Sequence, residues 1–230
     1  MGIYYKDQPR QLVAVDCIIF GFDAGELKVL LIKRDFEPMK GSWSLIGGFL
    51  NEQESFRQSA ERILSKLTGL GNIYLEQLQA FGEPNRDSED RVISVAYFAL
   101  IKIDEQNQNF DYPFEARWFS INEIPELIFD HSKMIQKALD RLQFNARYRP
   151  LGFELLPNKF TIPQLQQLYE SIYQQSYDRR NFNKKIMSMG LLNKLDEKQK
   201  GSSKKGAWLY QFNKEKYDDL AKEGFKFALG

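Results

Sequence analysis

The sequence predicts an α+β domain followed by a second, smaller domain made of two helices and a β-ribbon. Apolar, β-branched runs surround one amphipathic helix in the first part of the chain. After Pro150 the pattern changes to helix, turn, helix and ribbon, and the charge changes sign. Residues 1–150 hold 18 basic and 22 acidic side chains, whereas residues 151–230 hold 14 and 9. We therefore expect two domains, 1–149 and 150–230.

The first domain opens with a predicted β-hairpin. Residues 12–22 and 27–34 are apolar strands, and Asp23 to Glu26 form the turn between them. A helix is predicted over residues 51–67 because apolar residues recur there at helical spacing, and Gly69 ends it. Further strands are expected at residues 73–81, 92–103 and 116–119, and a second helix at 131–144.

The second domain has the element order of a winged helix-turn-helix. A helix is predicted up to Tyr173 with Thr161 as a possible N-cap. Asp178 is a good N-cap for the next helix, which Gly190 ends. Two strands, residues 191–195 and 208–212, then flank a polar Gly/Ser/Lys loop. Because proline disfavours a helical residue before it, Pro150 marks the boundary between the domains.

The composition excludes several classes of function. The chain has one cysteine, Cys17, and one histidine, His131, so neither a zinc cage nor a Ser/His or Cys/His relay can be assembled. No apolar stretch approaches the roughly 18 residues that span a bilayer, and the first ten residues are too polar for a secretory signal. We expect a cytoplasmic protein without a cofactor or membrane contact.

A degenerate motif lies between Gly48 and Leu70. It resembles the Nudix box, which runs Gly, five residues, Glu, seven residues, Arg-Glu, an aliphatic, any residue, Glu-Glu, any residue, Gly and an aliphatic. The matching positions are Gly48, Glu54, Arg62, Leu64, Gly69 and Leu70. The resemblance implies a Nudix-like α/β/α sandwich with a mixed sheet, in which the equivalent of Glu54 pairs with the equivalent of Arg62.

The carboxylates that hold magnesium in the family are missing. Ile63 follows Arg62, and Lys66-Leu67 replaces the Glu-Glu pair. Neither apolar side chain can ligate a metal, and Lys66 places a positive charge where the cation would lie. Magnesium-assisted hydrolysis would lose its source of a nucleophile. We therefore predict no metal site, no catalytic residues and no enzyme activity; the alternative is a Nudix hydrolase acting on a nucleoside diphosphate derivative.

The same domain still offers residues suited to holding a ligand. Gly47 and Gly48 allow close approach of the backbone, and Trp43 could stack on a base or sugar, although it could equally fill core. Basic residues adjoin the elements that line the family's cleft, and the segment 82–92 carries polar groups around a turn, which could instead be an exposed hairpin loop. The predicted effector-binding residues are Lys33, Arg34, Lys40, Trp43, Gly47, Gly48, Lys66, Arg86, Asp87 and Arg91.

The predicted second helix of the smaller domain suits DNA. Its polar face is basic, its first two turns are where base contacts usually fall, and two lysines lie at the tip of the ribbon. The alternative is a solvated amphipathic helix. The predicted DNA-binding residues are Arg179, Arg180, Asn183, Lys184, Lys185, Lys204 and Lys205.

The whole chain resembles the Nudix-related transcriptional regulators, through the stretches at residues 82–100, 153–170 and 178–192. Membership implies a homodimer on a palindromic double-stranded DNA operator of a metabolic operon, released by a small effector. One branch of the family senses ADP-ribose, and others sense sugars such as arabinose. Because the magnesium-binding Glu residues are missing, we expect the sugar-type or another non-hydrolytic branch.

Overall fold

The computed structural model describes residues 7–104, 115–199, 206–225 and 227. The described residues group into two compact units. One comprises residues 7–20, 29–99 and 115–138, and the other comprises 21–28, 100–104, 139–199, 206–225 and 227. This grouping is by spatial contact, so it differs from a single cut along the sequence, and the domain boundary at residues 149 and 150 stays a prediction.

A seven-stranded sheet occupies the first part of the chain. Its strands are β1 (Leu12–Asp23), β2 (Glu26–Lys33), β3 (Trp43–Ser44), β4 (Ile46–Phe49), β5 (Glu76–Phe81), β6 (Val92–Lys102) and β7 (Ala116–Ser120). Five strands follow the order β3-β2-β1-β6-β5, β4 pairs with β1 in antiparallel register, and β7 pairs with β2.

The predicted hairpin at the start of the chain is confirmed, since β1 and β2 are neighbours in the sheet. Its turn contains Ala24 at φ 49° and Gly25 at φ 86°. Two successive left-handed residues match the right-handed twist of the flanking strands. The other predicted strands are also present, with small shifts at their ends, whereas β3 and β4 are too short to have produced a periodic pattern.

Helix α1 (Phe56–Thr68) starts later than predicted. Ser55 accepts a hydrogen bond from Gln58 N, and the Gln58 side chain accepts one from Ser55 N. This capping box fixes the start at Phe56, so the prediction that the helix begins at residue 51 is wrong. Gly69 ends it with a φ of 72°, as predicted. Helix α2 (His131–Tyr148) begins where predicted and runs four residues further.

The last part of the chain has two adjacent helices and a small sheet. Helices α3 (Ile162–Tyr173) and α4 (Arg179–Ser188) carry the predicted N-caps Thr161 and Asp178. The antiparallel strands β9 (Leu192–Gln199) and β10 (Ala207–Phe212) form the predicted ribbon, and β8 (Phe160–Thr161) joins β10. Helix α5 (Lys214–Lys222) was not predicted, and none of its residues is buried.

Aromatic side chains form the core of this second unit. Phe153 stacks on Phe212 with ring centroids 4.2 Å apart, and Tyr169 is fully buried beside Phe227 at 5.5 Å. The Tyr169 hydroxyl donates to Leu151 O at 3.1 Å, so burial leaves it partnered. Helices α3 and α4 thus pack on this aromatic core through their buried residues, and their polar faces point to solvent.

Candidate effector site and candidate DNA-binding surface

A cavity of about 230 Å³ lies beside the glycine pair Gly47 and Gly48. The sheet supplies one side of it, and the segments that precede β6 and α2 supply the other. We call it the inner chamber. Its lining residues are Ala14, Asp16, Ile32, Arg34, Phe36, Glu37, Pro38, Ser44, Leu45, Gly47, Gly48, Phe49, Arg86, Asp87, Val92, Phe129 and His131.

A buried network of charged and polar side chains forms part of the inner chamber. Arg86 donates from Nη2 and Nε to the Asp130 carboxylate, at 2.7 and 3.2 Å. Asp16, which is buried within β1, accepts from Ser94 Oγ at 2.6 Å and lies 3.8 Å from Arg86 Nη2. Because burying an unpaired charge is costly, these mutual contacts offset the cost of placing Asp16 and Arg86 in the interior.

His131 joins this network through both ring nitrogens. Nδ1 accepts a hydrogen bond from Leu45 N at 3.0 Å, and Nε2 lies 3.8 Å from Asp16 Oδ1. Burial lowers the pKa of His131, against the opposing effect of Asp16, while Arg86 lowers it further. The imidazole of His131 is therefore neutral at neutral pH. Its Nδ1 fixes the backbone at Leu45, two residues before Gly47.

Both glycines are closely packed. A β-carbon on Gly47 would lie 2.0 Å from Asp16 Oδ1, and one on Gly48 would lie 3.2 Å from Ile63 Cδ1. The backbone at Gly47 is therefore pressed against the buried carboxylate. That these glycines let a ligand approach the backbone closely stays a prediction. The side chains nearest to them are Asp16 and Ile63, which the sequence did not identify as their neighbours.

Three positions of the predicted Nudix box, Ile63, Lys66 and Leu67, have apolar or solvent-facing environments. Ile63 and Leu67 are buried in the core, whereas Lys66 is exposed on α1. Within the residues that the structure describes, no group of three or more His, Cys, Asp or Glu side chains is placed to hold a metal ion. Helix α1 thus presents core-forming side chains at two positions where the family motif has carboxylates.

The predicted pairing of Glu54 with Arg62 is confirmed. Arg62 donates from Nε and Nη2 to the Glu54 carboxylate at 2.5 and 2.8 Å, and also from Nη2 to Phe49 O at 3.1 Å. Chiefly through the hydrogen bond from Arg62, the pKa of Glu54 falls to about 2. This pair ties α1 to the end of β4 next to the glycines, so Glu54 braces the loop.

Arg34 is a cation of the inner chamber whose terminal guanidinium nitrogens can still donate hydrogen bonds. Its Nε donates to Pro38 O at 2.8 Å, and its guanidinium lies over the Phe36 ring at 4.2 Å. Partial burial lowers the pKa of Arg34, although Asp87 and Asp16 oppose this effect. Among the described residues, no acceptor is bonded to its terminal nitrogens. A guanidinium held in place by its Nε and its stacking face can therefore present these donors to an anion.

Half of the predicted effector-binding residues come together at the inner chamber. Arg34, Gly47, Gly48, Arg86 and Asp87 line it, while Lys33, Lys40, Trp43, Lys66 and Arg91 do not. Spacing along the chain could not separate the two groups, because the lining of the inner chamber comes from strands and loops that are distant in sequence.

The five residues outside the lining have other positions. Trp43 packs edge-on against Phe119 at 4.7 Å, and Lys33 forms an ion pair with Glu115 at 3.5 Å. Lys40 and Lys66 are exposed. Arg91 donates to Gly82 O at 2.8 Å and to Glu83 O at 3.1 Å, so it closes the segment 82–91 that connects β5 with β6. Arg91 therefore stabilises this hairpin loop and does not line the inner chamber.

The sequence did not identify Asp16, Ser94, Phe129 or His131 as site residues. Asp16 offered one signal, a lone acid within an apolar strand, which is unusual for a core position unless it is paired. His131, the single histidine of the sequence, was considered there only for a zinc cage or a relay. Its role depends on Leu45, which lies 86 positions away in the chain, and no local pattern reports such a contact.

The predicted DNA-binding residues on α4 form one exposed surface. Phe182 and Ile186 are buried, while Arg179, Arg180, Asn183, Lys184 and Lys185 are all exposed. The amphipathic pattern therefore predicted the correct orientation of this helix. Its net basic face is free of any ion pair among the described residues, as a surface for phosphates and base edges requires.

Hydrogen bonds fix the turn between α3 and α4. Glu170 Oε1 accepts from Tyr177 N at 2.8 Å, and Gln166 Nε2 donates to Tyr177 O at 2.9 Å. Gln174 takes a left-handed conformation that ends α3, and Asp178 Oδ1 accepts from Asn181 N at 2.9 Å to start α4. The two helices thus hold a defined angle, which a recognition helix needs in order to enter a groove.

The β-ribbon carries a cationic cluster that the sequence did not reveal. Lys194 Nζ and Lys198 Nζ lie 4.0 and 4.3 Å from the ring centroid of Trp208, which is 40% exposed. An exposed indole between two ammonium groups holds them at one place on the surface. The predicted contacts Lys204 and Lys205 lie outside the described residues.

Comparison with known proteins identifies both parts of the chain. Residues 10–138 match the NUDIX domain model, and residues 152–212 match the NrtR DNA-binding winged helix domain model. These two domains in this order define a class of transcriptional regulators. The chain belongs to the NrtR family within that class. The α+β Nudix-like fold followed by a winged helix, predicted from the sequence, is confirmed.

Two relatives cover nearly the whole chain. The ADPR responsive transcriptional repressor NtrR of Acinetobacter baylyi is 34% identical over 217 residues, which is 93% of this chain and 86% of that protein. The crystal structure of Shewanella oneidensis NrtR is 31% identical with a TM-score of 0.69, and the match covers 88% of this chain and 94% of that one.

Two structures of the Shewanella oneidensis protein contain ligands. NrtR complexed with a 27mer DNA is 29% identical with a TM-score of 0.68, covering 87% of this chain and 93% of that one. Its NUDIX domain complexed with ADP ribose is 31% identical with a TM-score of 0.55, covering 62% of this chain and 99% of that one. The sugar-type branch favoured by the sequence is not supported by these relatives. None of the described helices combines the length and apolarity needed to cross a membrane.

Proposed function

We propose that this protein is a transcriptional repressor that binds operator DNA through its winged helix and is controlled by ADP-ribose in its Nudix domain. The observation that carries the proposal is the inner chamber, which is lined by Arg34 and by the glycine pair Gly47 and Gly48. A diphosphate needs fixed donors such as this guanidinium. The relatives that respond to ADP-ribose support this choice of effector.

The effector acts as a switch only if the site holds it intact. Ile63 and Leu67 are packed in the core, and Lys66 adds a positive charge on the outside of α1. Without carboxylates at these positions, α1 cannot hold the magnesium that generates the nucleophile in the family's hydrolases. The proposed protein therefore binds ADP-ribose and releases it unchanged.

Coupling between the two sites requires that the effector prefer one state of the regulator. If ADP-ribose binds the DNA-free form more tightly than the DNA-bound form, bound ADP-ribose lowers the affinity for the operator. The factor is the one by which bound operator lowers the affinity for ADP-ribose, because linkage is reciprocal. The same proposal includes a homodimer on a palindromic operator, a domain boundary at residues 149 and 150, and a cytoplasmic location.

Operator binding with and without ADP-ribose tests the proposal. Fluorescence anisotropy with the upstream region of the chain's own gene should show salt-dependent binding that weakens when ADP-ribose is added. Arabinose at the same concentrations serves as the control for the sugar-type alternative. Operator affinity that does not change with ADP-ribose would contradict the proposed control.

Hydrolysis is the second candidate function. The ADP-ribose pyrophosphatase of Methanocaldococcus jannaschii is 37% identical over 132 residues, which is 57% of this chain and 75% of that protein. We expect the chain incubated with ADP-ribose and magnesium to release no AMP and no ribose 5-phosphate above the buffer level. Magnesium-dependent release that is abolished in Glu54→Gln would favour the hydrolase.

A further inference from the structure

The outward face of α4 combines polar side chains with one large apolar side chain. Arg180, Asn183, Lys184 and Met187 are spaced three or four residues apart, so they lie along one face of the helix, and all four are exposed. We call this set the outer stripe. Its first three members are charged or polar, whereas Met187 is apolar and 41% exposed.

The packing of α4 does not require the apolar side chain of Met187. Phe182 and Ile186, four residues apart, are 3% and 2% exposed and attach the helix to the core. Met187 follows Ile186 by one position, which is about 100° around the helix axis, so its side chain points away from that contact. Burial of the Met187 side chain would therefore be completed only by a partner that covers the outer stripe.

The partner proposed for this face is the major groove of DNA. Base edges in that groove present hydrogen-bond donors and acceptors, and thymine adds one apolar group, its C5 methyl. The side chains of Arg180 and Asn183 match the polar groups, whereas an apolar side chain matches the methyl. Methionine suits such a contact, because its unbranched thioether chain adapts to the shape of a small apolar group.

We propose that Met187 is a specificity-determining residue that packs on the C5 methyl group of a thymine in the operator. The proposal rests on the proposed function, since it takes α4 as the recognition helix, and it adds a base that the polar residues do not read. Met187 lies seven residues after Arg180, or about 10.5 Å along the helix axis. Base pairs follow one another at about 3.4 Å, so this thymine lies about three base pairs from the one that Arg180 contacts.

Replacing thymine by uracil tests this contact, because it removes the methyl group and keeps every hydrogen-bonding group of the base. The upstream region of the chain's own gene is amplified once with thymidine triphosphate and once with deoxyuridine triphosphate. Fluorescence anisotropy, without ADP-ribose, then gives the affinity of the full chain and of Met187→Gln and Met187→Leu for both DNAs. Met39→Gln is the matched control, since Met39 is 48% exposed and lies outside the winged helix. Thermal unfolding checks that every variant is folded.

The expected result is a penalty for uracil that depends on Met187. The wild-type chain should bind the uracil DNA about fourfold more weakly for each half-site, the order expected for one methyl group taken out of water. Met187→Gln should lose this penalty, whereas Met187→Leu and Met39→Gln should keep it. Any change of DNA shape caused by uracil affects all variants alike, so the difference between wild type and Met187→Gln isolates the contact.

Single uracil substitutions then locate the thymine within the operator, once footprinting has delimited it. The penalty should fall about three base pairs from the position at which Arg180→Gln relaxes the sequence preference. A wild-type chain without a uracil penalty, or a Met187→Gln protein with the full penalty, overturns the proposed contact. If the wild-type chain does not bind the thymine DNA at all, the proposed function itself fails.

Discussion

Gly47 lies against the buried carboxylate of Asp16, so closely that a β-carbon at this position would lie 2.0 Å from Oδ1. Asp16 cannot move away freely, because Oδ2 accepts from Ser94 at 2.6 Å and lies near Arg86. Strand β4, which carries the glycine pair, therefore packs against a buried network in which the Asp16 side chain is held in place.

Gly47→Ala should lower the free energy of unfolding by about 1 to 3 kcal/mol, the usual cost of overpacking, and should weaken effector binding as β4 shifts. Chemical denaturation and calorimetry measure the two effects. Gly71→Ala is the control, because a β-carbon there meets nothing within 4 Å. A Gly47→Ala protein as stable as the control would show that the backbone is not pressed against Asp16.

Arg86→Gln should cost about 3 to 5 kcal/mol of unfolding free energy. The substitution leaves the carboxylates of Asp130 and Asp16 without their cation in a buried place, and breaking one side of a buried pair has this order of cost. Arg57→Gln provides the comparison, since its pair with Glu61 is exposed and should contribute at most about 0.5 kcal/mol. Equal losses in urea melts of the two variants would contradict the buried network.

Patterns within a few residues predicted most of the fold. Thr161, Asp178 and Gly69 act through neighbours in sequence, so the helix ends they determine could be found, and the burial of Phe182 and Ile186 follows from spacing alone. The candidate site could be predicted only in part, because it is assembled from β1, β2, β4, β6 and the segment before α2. A contact such as that of Arg86 with Asp130 joins residues 44 positions apart, so it produces no periodic pattern in the sequence.

The pH dependence of stability should reveal the buried state of His131. In the unfolded chain the imidazole has its ordinary pKa of 6.5, whereas burial lowers the pKa of the folded form. Between these two values the unfolded state binds a proton that the folded state does not, so stability falls as the pH decreases below 6.5. Above pH 6.5 both states are neutral, and the effect vanishes.

Urea melts between pH 7.5 and 5 measure this slope, with His131→Gln as the comparison, since its amide oxygen can still accept from Leu45 N. His131 is the only histidine of the chain, so one imidazole resonance reports its pKa directly. A resonance that titrates at or above 6.5 would disprove the lowered pKa.

The basic face of α4 should determine operator sequence preference. Arg179→Gln or Arg180→Gln is expected to cost about 1 to 3 kcal/mol of operator affinity if the side chain contacts a guanine, and to relax preference at one position. Lys222→Gln is the control, because it removes an equally exposed charge from α5. If both arginine variants keep the affinity and the preference of the wild type, α4 is not the recognition helix.

The cluster of Lys194, Lys198 and Trp208 should bind DNA phosphates without reading sequence. Lys194→Gln with Lys198→Gln is expected to make the plot of log affinity against log salt less steep, by about 0.9 for each phosphate that a lysine no longer neutralises, with base preference unchanged. Asp196, between the two lysines in β9, opposes this attraction, so Asp196→Asn should strengthen binding at low salt.

The matched control for the ribbon is Lys214→Gln with Lys222→Gln, which removes the same charge from α5. Trp208→Phe adds a second test, because the smaller ring attracts cations less and should weaken binding while every charge is kept. If the two double variants change the salt dependence equally, net charge rather than the Trp208 cluster accounts for the effect. A flatter slope confined to the ribbon variant would place this face of the winged helix against the DNA backbone.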